Sequence, residues 1–393
     1  MVSTADVVVI GAGITGTSAA FQLARRGLKV ALVEKRFLAA GSTGKSSAII
    51  RQHYSNEITA KMALFSLRVF HNFAEVVGGD AGFVQTGFAV LVDPKDRDGL
   101  VENVAMQKRV GVNTQIVSSE ELHDIDPGIA GTREIVAAYE PESGYADPAF
   151  TTTSYADAAR KLGAEVYQGA RVTGIEMSGG RATGVKTTAG EIATGAVVNC
   201  ANAWAPEIGS MVGVALPIQA SRHQVATFQR PHSHTRAHLT AGDFINHIYY
   251  RPEGSALTLV GSIDAGEAEH HIDPDHYNES ADYEFIEDAA QRIRNRYPYM
   301  EQALSKGGWS GIYGVTPDWH PIIDEAPEGS GFFVAAGFSG HGFKLGPAVG
   351  VMVADMVTRA GAPAEGLSRA LFRSARFAEN QLVRGKYEYS IVG

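Results

Sequence analysis

The pattern of apolar and polar positions changes character along the chain. Residues 6–10 (DVVVI) and 29–34 (KVALVE) are short unbroken apolar runs, as expected for strands buried on both faces of a parallel sheet. Between them, residues 14–26 have helical composition. Ile14, Ser18, Phe21 and Leu23 supply apolar or small contacts, and Gly27 ends the helix. Strand, helix and strand make one βαβ unit with a right-handed crossover. A loop rich in small and hydroxyl residues follows at 39–54. Helices are predicted over 57–77, 100–110 and 149–162, a hairpin over 83–92, and strands over 164–168, 172–177, 184–188 and 192–200.

From about residue 216 to 312 strand-like runs dominate (HQVATF, FINHIYYR, SALTLVGSI), with a polar helix over 282–297. Residues 331–357 return to strand, glycine loop and helix. The pattern predicts an α/β (α+β) chain. A mainly antiparallel sheet unit, residues 81–144 and 216–325, is inserted into a discontinuous parallel-sheet unit, residues 1–80, 145–215 and 326–393. A length of 393 residues suits two or three domains.

Composition narrows the function classes. With 45% hydrophobic and 20% charged residues, the chain is not disordered. The 44 glycines have no collagen period, so they belong to loops and close backbone approaches. A net charge of −9 gives nucleic-acid binding no support. One cysteine, Cys200, forms no intrachain disulfide and no zinc set, and a reducing cytoplasm is the expected location. The nearest approach to a membrane span, residues 192–206, is interrupted by Thr194, Asn199 and Asn202. The N-terminal stretch has no basic residue before Arg25, unlike a secretory signal.

The strongest motif is Gly11-x-Gly13-x-x-Gly16, placed after a strand and opening a helix, with Glu34 ending the second strand. Gly11 permits the tight turn, Gly13 the approach of a pyrophosphate, and Gly16 close helix–strand packing. Ile14, Thr15 and Gly16 present the N–H groups of the first helical turn to phosphate. Glu34 accepts ribose hydroxyls and repels a 2′-phosphate, which argues against NADP; Lys35 is placed beside it at the cofactor. This is a Rossmann-like dinucleotide unit, but the motif alone does not separate FAD from NAD.

Two further segments do, GSTGKSSAIIR (41–51) and GFSGHGFKLGP (337–347), and YGVTPDWHPIID (313–324) joins them in the resemblance. Together with GAGITG they resemble the D-amino-acid oxidase superfamily of FAD enzymes over essentially the whole chain. The resemblance is strongest to the branch of sarcosine oxidase, its β subunit in particular, and dimethylglycine dehydrogenase. It implies one FAD, with Glu34 at the adenosine ribose and Val172 binding adenine through its backbone. Ser42, Thr43, Lys45 and Ser46 would line the ribityl and ring region. Ala201 and Trp204, in VVNCANAWA, match a second flavin-binding strand end. Gly340, Gly342, Phe343 and Lys344 would lie along the ring, where a helix N-terminus near Gly342 can stabilise reduced flavin. Arg51 and Lys344 match the ligands of the substrate carboxylate. Both are charges in apolar or glycine-rich sequence, and a guanidinium fork suits a carboxylate. Tyr249 matches an aromatic over the flavin, with Tyr250 pointing the other way. His341 is either a backbone anchor beside the flavin or a proton-transfer group.

The chain departs from the family's pattern in three places. Gly311 stands where some relatives carry a flavin-linking cysteine, so FAD is expected to be non-covalent. Ala146 stands where the β subunit has its FMN-linking histidine, which makes a second flavin doubtful. Thr258 is matched to the oxygen-activating lysine of monomeric oxidases, so an acceptor other than oxygen is expected. That acceptor, and the oligomeric state, are left open. His232, His234 and His238 are read as an exposed loop without metal, and Glu142 and Asp147 as structural. The function implied is oxidation of the C–N bond of a small amino acid, above all a secondary or N-methylated one such as sarcosine. The alternatives are an FAD dehydrogenase of 2-hydroxy acids or glycerol phosphate, and a non-catalytic flavoprotein.

Overall fold

The computed structural model describes residues 1–131, 135–234, 236–264 and 271–383. One sheet holds six strands in the order β19 (Ile322–Glu325), β20 (Phe332–Ala336), β13 (Val197–Asn199), β1 (Val7–Ile10), β2 (Val30–Val33) and β9 (Glu165–Tyr167). All its pairs are parallel except β19 with β20. Alternate residues of β1 and β2 go to opposite faces. Val7, Val9 and Leu32 meet helices α1 (Ile14–Arg25) and α9 (Gly342–Val357), while Val8, Ile10, Ala31 and Val33 meet a small antiparallel sheet. That small sheet is β10 (Val172–Ser178), β11 (Arg181–Thr187) and β12 (Gly190–Ala193).

A second large sheet holds β18 (Leu304–Val315), β14 (Gln219–Gln229), β17 (Leu257–Ser262), β16 (Ile248–Glu253), β15 (Thr240–Asp243), β5 (Phe88–Val92), β7 (Val136–Glu140) and β6 (Gln115–Val117), in that order. Helix α8 (Tyr283–Arg296) covers one face, packing Phe285, Ala289 and Ile293 on Ala226, Tyr250 and Val260. Three short strands, β3 (Ile49–Ile50), β8 (Gly144–Tyr145) and β4 (Val84–Gln85), form a further sheet. The remaining helices are α2 (Glu57–His71), α3 (Phe73–Val76), α4 (Arg97–Arg109), α5 (Ser119–Ile125), α6 (Pro148–Lys161) and α7 (Ala205–Ser210).

The structure differs from the pattern-based expectation at four points. The helix expected over 57–77 breaks at Asn72, whose side chain turns back to donate to Arg68 O at 2.8 Å. The hairpin expected over 83–92 is absent: β4 pairs with β8 and β5 with β7 and β15, with Gly87 at φ +71° between them. The run FINHIYYR is cut by a turn in which Asp243 Oδ1 accepts the N–H groups of Ile245 and Asn246 and His247 adopts φ +54°. Strand β19, drawn by pattern on the far side of the boundary at 325, closes the edge of the parallel sheet, because Ile322 and Ile323 are both fully buried there. No helix among the described residues is long and apolar enough to cross a membrane.

Candidate cofactor and active site

β1 ends at Gly11 with φ +99°, in the left-handed region that favours glycine. A Cβ on Gly16 would lie 1.8 Å from Gly11 O, and one on Gly13 would lie 2.8 Å from Thr43 Oγ1. The turn therefore has room for backbone only. α1 starts at once, with no side-chain cap at Gly13 and no acid in its first turn. Thr43 Oγ1 accepts the Ile14 N–H at 3.1 Å, tying the loop at 42–46 to the helix start. The helix N-terminus thus keeps its positive end for an anion.

Glu34 is fixed from two sides. Its Oε2 accepts the Ala12 N–H at 2.9 Å and its Oε1 the Arg36 N–H at 2.8 Å. A carboxylate has about four lone-pair sites, so two remain for ribose hydroxyls. Lys35 ion-pairs with Asp275 at 2.5 Å and lies 4.1 Å from the Trp204 ring centroid. Trp204 Nε1 donates to the same Asp275 oxygen at 3.0 Å. Lys35 is therefore ion-paired within the protein, while Arg36 also lines this end of the cleft.

A single long cleft connects these groups with the second sheet. It runs from Glu34 and Val172 past Gly11, Thr15, Ala201 and Ser42 to Tyr249, Tyr313 and Phe343. Of the cofactor residues expected from sequence, Gly11, Gly13, Ile14, Thr15, Glu34, Lys35, Ser42, Thr43, Lys45, Ser46, Val172, Ala201, Trp204, Gly340, Gly342 and Phe343 all line it. Gly16 and Lys344 do not. Gly16 is spent on the packing against Gly11. Lys344, one residue beyond Phe343 in the first turn of α9, points into buried surroundings at 8% exposure. Tyr249 lines the cleft and Tyr250 is fully buried under α8, which settles the register of β16.

Behind the far end of the cleft lies the Arg51 arm. Arg51 is buried, donates to His53 O, and stacks 4.5 Å from the Tyr54 ring centroid and 6.0 Å from that of Phe88. Its Nη2 lies 3.5 Å from His341 Nδ1, to which Tyr54 Oη also approaches at 3.3 Å. Since a guanidinium can only donate, Nδ1 is the accepting nitrogen. Lys344 is coupled electrostatically to Arg51. Burial first, and the Arg51 charge second, hold its ammonium well below the usual lysine range. Burial and Arg51 likewise hold His53 at about 3, and burial pushes the Tyr54 phenol up to about 12. Arg51, His341 and Lys344 are thus brought together, next to the cleft rather than in its wall.

Some expectations need correction. Thr258 faces away from the cleft: it is fully buried opposite Phe228 and Pro252 and lies 2.8 Å from His238 Nε2. It shares its parity with Val260, on the α8 side of the sheet. The slow-oxygen expectation built on Thr258 loses its basis. His238 is buried, with Nδ1 2.8 Å from Leu239 O, so only His232 and His234 of that cluster are exposed. Among the described residues no group of three or more His, Cys, Asp or Glu is placed to hold a metal ion. Asp147 caps α6 through the Ala149 and Phe150 N–H groups, a structural role. Sequence reasoning missed two residues. His223, on β14, lines the cleft and stacks 3.7 Å from Tyr313; Glu140 is buried beside the Arg51 arm.

A glycine cradle at a helix N-terminus, a carboxylate with spare acceptors, and a cleft continuing to a second helix start at Gly342 fit a flavin dinucleotide. The chain belongs to the FAD-dependent oxidoreductase family DAO, whose model matches residues 6–356. The fold and the cleft are accordingly those of a flavoprotein of that family. The chain is 30% identical over 373 residues to mitochondrial sarcosine dehydrogenase of Homo sapiens, covering 90% of this chain but only 40% of that relative's length. It is 26% identical to sarcosine oxidase subunit beta of Rhodobacter capsulatus, covering 96% of this chain and 90% of that one. Among solved structures, L-proline dehydrogenase from P. horikoshii superposes with a TM-score of 0.89 at 32% identity, covering 98% of this chain and 100% of the other.

Proposed function

We propose that this protein oxidises the C–N bond of an amino acid, and that the amino acid is a secondary one such as sarcosine. The observation that carries the reading is the buried pair Arg51 and Lys344 next to the cofactor cleft, Lys344 following the lining residue Phe343. Burial and the Arg51 charge both disfavour the Lys344 ammonium, so an anion arriving between the two side chains would be stabilised by Arg51 and would favour the protonated lysine. A substrate carboxylate is such an anion, and its protonated amine would be repelled by the Arg51 guanidinium. The site therefore favours the neutral amine, the form whose lone pair assists hydride departure. FAD, when bound, supplies the hydride acceptor. Arg51 and Lys344 fix the carboxylate, Tyr249 closes the cleft from the sheet side, and the imine product hydrolyses in water. The relatives support the secondary amine: sarcosine and L-proline, named in their descriptions, both carry a secondary α-amine.

The test is anaerobic titration of the FAD-loaded protein with sarcosine, L-proline, glycine, D-alanine, L-lactate and glycerol 3-phosphate. Bleaching of the visible flavin band by sarcosine or L-proline is expected. Bleaching by L-lactate or glycerol phosphate alone would replace the amine reading with an alcohol one, and bleaching by none would make this a non-catalytic flavoprotein.

We also infer non-covalent FAD. Gly311 lies on the cleft wall, where even a Cβ would come 2.7 Å from Lys45 Cβ, so no thiol reaches the flavin from this position. Acid precipitation is expected to give a colourless pellet and a yellow supernatant; a yellow pellet refutes it.

A further inference from the structure

Glu140 ends β7 at 1% exposure. It shares the face of the second sheet with Phe88, its partner in register, over whose ring the Arg51 guanidinium lies. Its Oε2 accepts two hydrogen bonds: from the N–H of Gln52, the residue after Arg51, at 2.8 Å, and from Ser143 Oγ at 2.7 Å. Its Oε1 is buried with no hydrogen-bond partner among the described residues. A carboxylate so poorly served is expensive to bury. It does not line the cofactor cleft, yet it fixes the backbone of the arm that carries Arg51.

We propose that Glu140 is the counter-charge and positioning residue of the Arg51 arm, and that its ionisation sets how tightly a substrate carboxylate is held. The inference rests on the carboxylate-binding reading of Arg51 given above. When ionised, Glu140 offsets the Arg51 charge in the empty site and opposes an arriving carboxylate. When neutral, it leaves the Arg51 field to the substrate. Burial pushes its pKa up to about 7, against the pull of the Gln52 and Ser143 hydrogen bonds and of Arg51, so the change falls in the working range. Carboxylate affinity therefore drops as pH rises through that value. The groups facing it are Arg51 and Tyr54, with Lys344 reaching Arg51 from α9. Tyr54, held near 12, stays neutral throughout this range, and Lys344 is common to the variants compared below.

Substituting Gln keeps an oxygen for the Gln52 N–H and the Ser143 hydroxyl and removes only the charge. Substituting Ala removes both. The experiment is equilibrium binding of 2-furoate, and of furan as its uncharged counterpart, to FAD-loaded wild type, Glu140→Gln and Glu140→Ala, read from the flavin spectrum at about pH 6 and about pH 8.5. At the higher pH, Glu140→Gln is expected to bind 2-furoate about tenfold more tightly than wild type, the order expected for one screened unit charge several ångströms away. At the lower pH the two converge, and furan binds alike to both. Glu140→Ala binds 2-furoate more weakly than wild type at both pH values, because the arm is no longer held. Equal affinity of Glu140→Gln and wild type at the higher pH overturns the counter-charge, and a loss in Glu140→Gln that matches Glu140→Ala reduces the residue to a structural role. Wild type that binds furan but no 2-furoate overturns the carboxylate reading of Arg51, and the proposal with it. Should Glu140→Ala fail to fold, the sign of the Glu140→Gln effect still decides.

Discussion

Arg51→Ala is expected to lower kcat/KM for a carboxylate-bearing secondary amine by roughly 30- to several-thousand-fold. The range follows from about 2–5 kcal/mol for removing one partner of a desolvated charge pair, at about 1.4 kcal/mol per factor of ten. The loss should be selective: an N-methyl amine without the carboxylate should lose little, since it never used the guanidinium. Arg51 is the cleaner probe of the pair. Lys344 follows Phe343, which lines the cleft, so Lys344→Met disturbs the flavin as well as the substrate. Arg51 also stacks on Tyr54 and donates to His53 O, so the variant is compared with wild type for flavin content and melting temperature before kinetics. Equal losses on both amines, at unchanged flavin content, would assign Arg51 to the fold and leave the carboxylate without its ligand. A wild type that prefers the decarboxylated amine would make a simple amine the substrate.

The second large effect is expected at Gly16. A Cβ there meets Gly11 O at 1.8 Å and Gly11 C at 3.0 Å, both backbone atoms of the turn that faces the cofactor. No side-chain rotation relieves that clash, so β1 and α1 must separate or the turn must unwind. Gly16→Ala is expected to cost more than about 4 kcal/mol and to yield a protein that retains no FAD through gel filtration. Gly195→Ala is the control, since its Cβ would meet nothing within 4 Å. If Gly16→Ala keeps its flavin and melts within a few degrees of wild type, the close-packed cradle is wrong.

The dinucleotide half of the site was legible because its signals are local. Strand, glycine turn, helix start and Glu34 lie in one contiguous stretch; Gly13 and Gly16 answer to contacts with Thr43 and Gly11, while Gly11 meets a distant strand end, at Cys200. The substrate half depends on pairings that no local pattern carries. Thr258 is expected at the cleft, yet its pairing with Phe228 and Pro252 gives it the parity of Val260, under α8. Tyr249, on the neighbouring strand, lines the cleft. Glu140 carries no motif in the sequence. Its clue was its position in VAAYE, where Val136, Ala138 and Glu140 share the inward parity, so a charge sits where an apolar residue belongs. Only the pairing of β3 with β8 shows what that charge serves.

The packing of α9 on α1 bears on how the protein is made. Gly346 sits against Ile14 and Gly350 against Ser18, and β20 lies beside β13 in the same sheet as β1. The first βαβ unit to leave the ribosome is therefore open along one face and short of its last strands until about 300 further residues have been added, some 15–60 s at roughly 5–20 residues per second. During that interval the strip of α1 around Ile14 and Ser18 lacks its α9 cover, although Phe21 meets Tyr155 of α6 well before the end of it. The nascent chain is a client for whatever shields hydrophobic surface in the cell, and the cofactor cleft, which needs Gly340 to Phe343 for one wall, is among the last features to close.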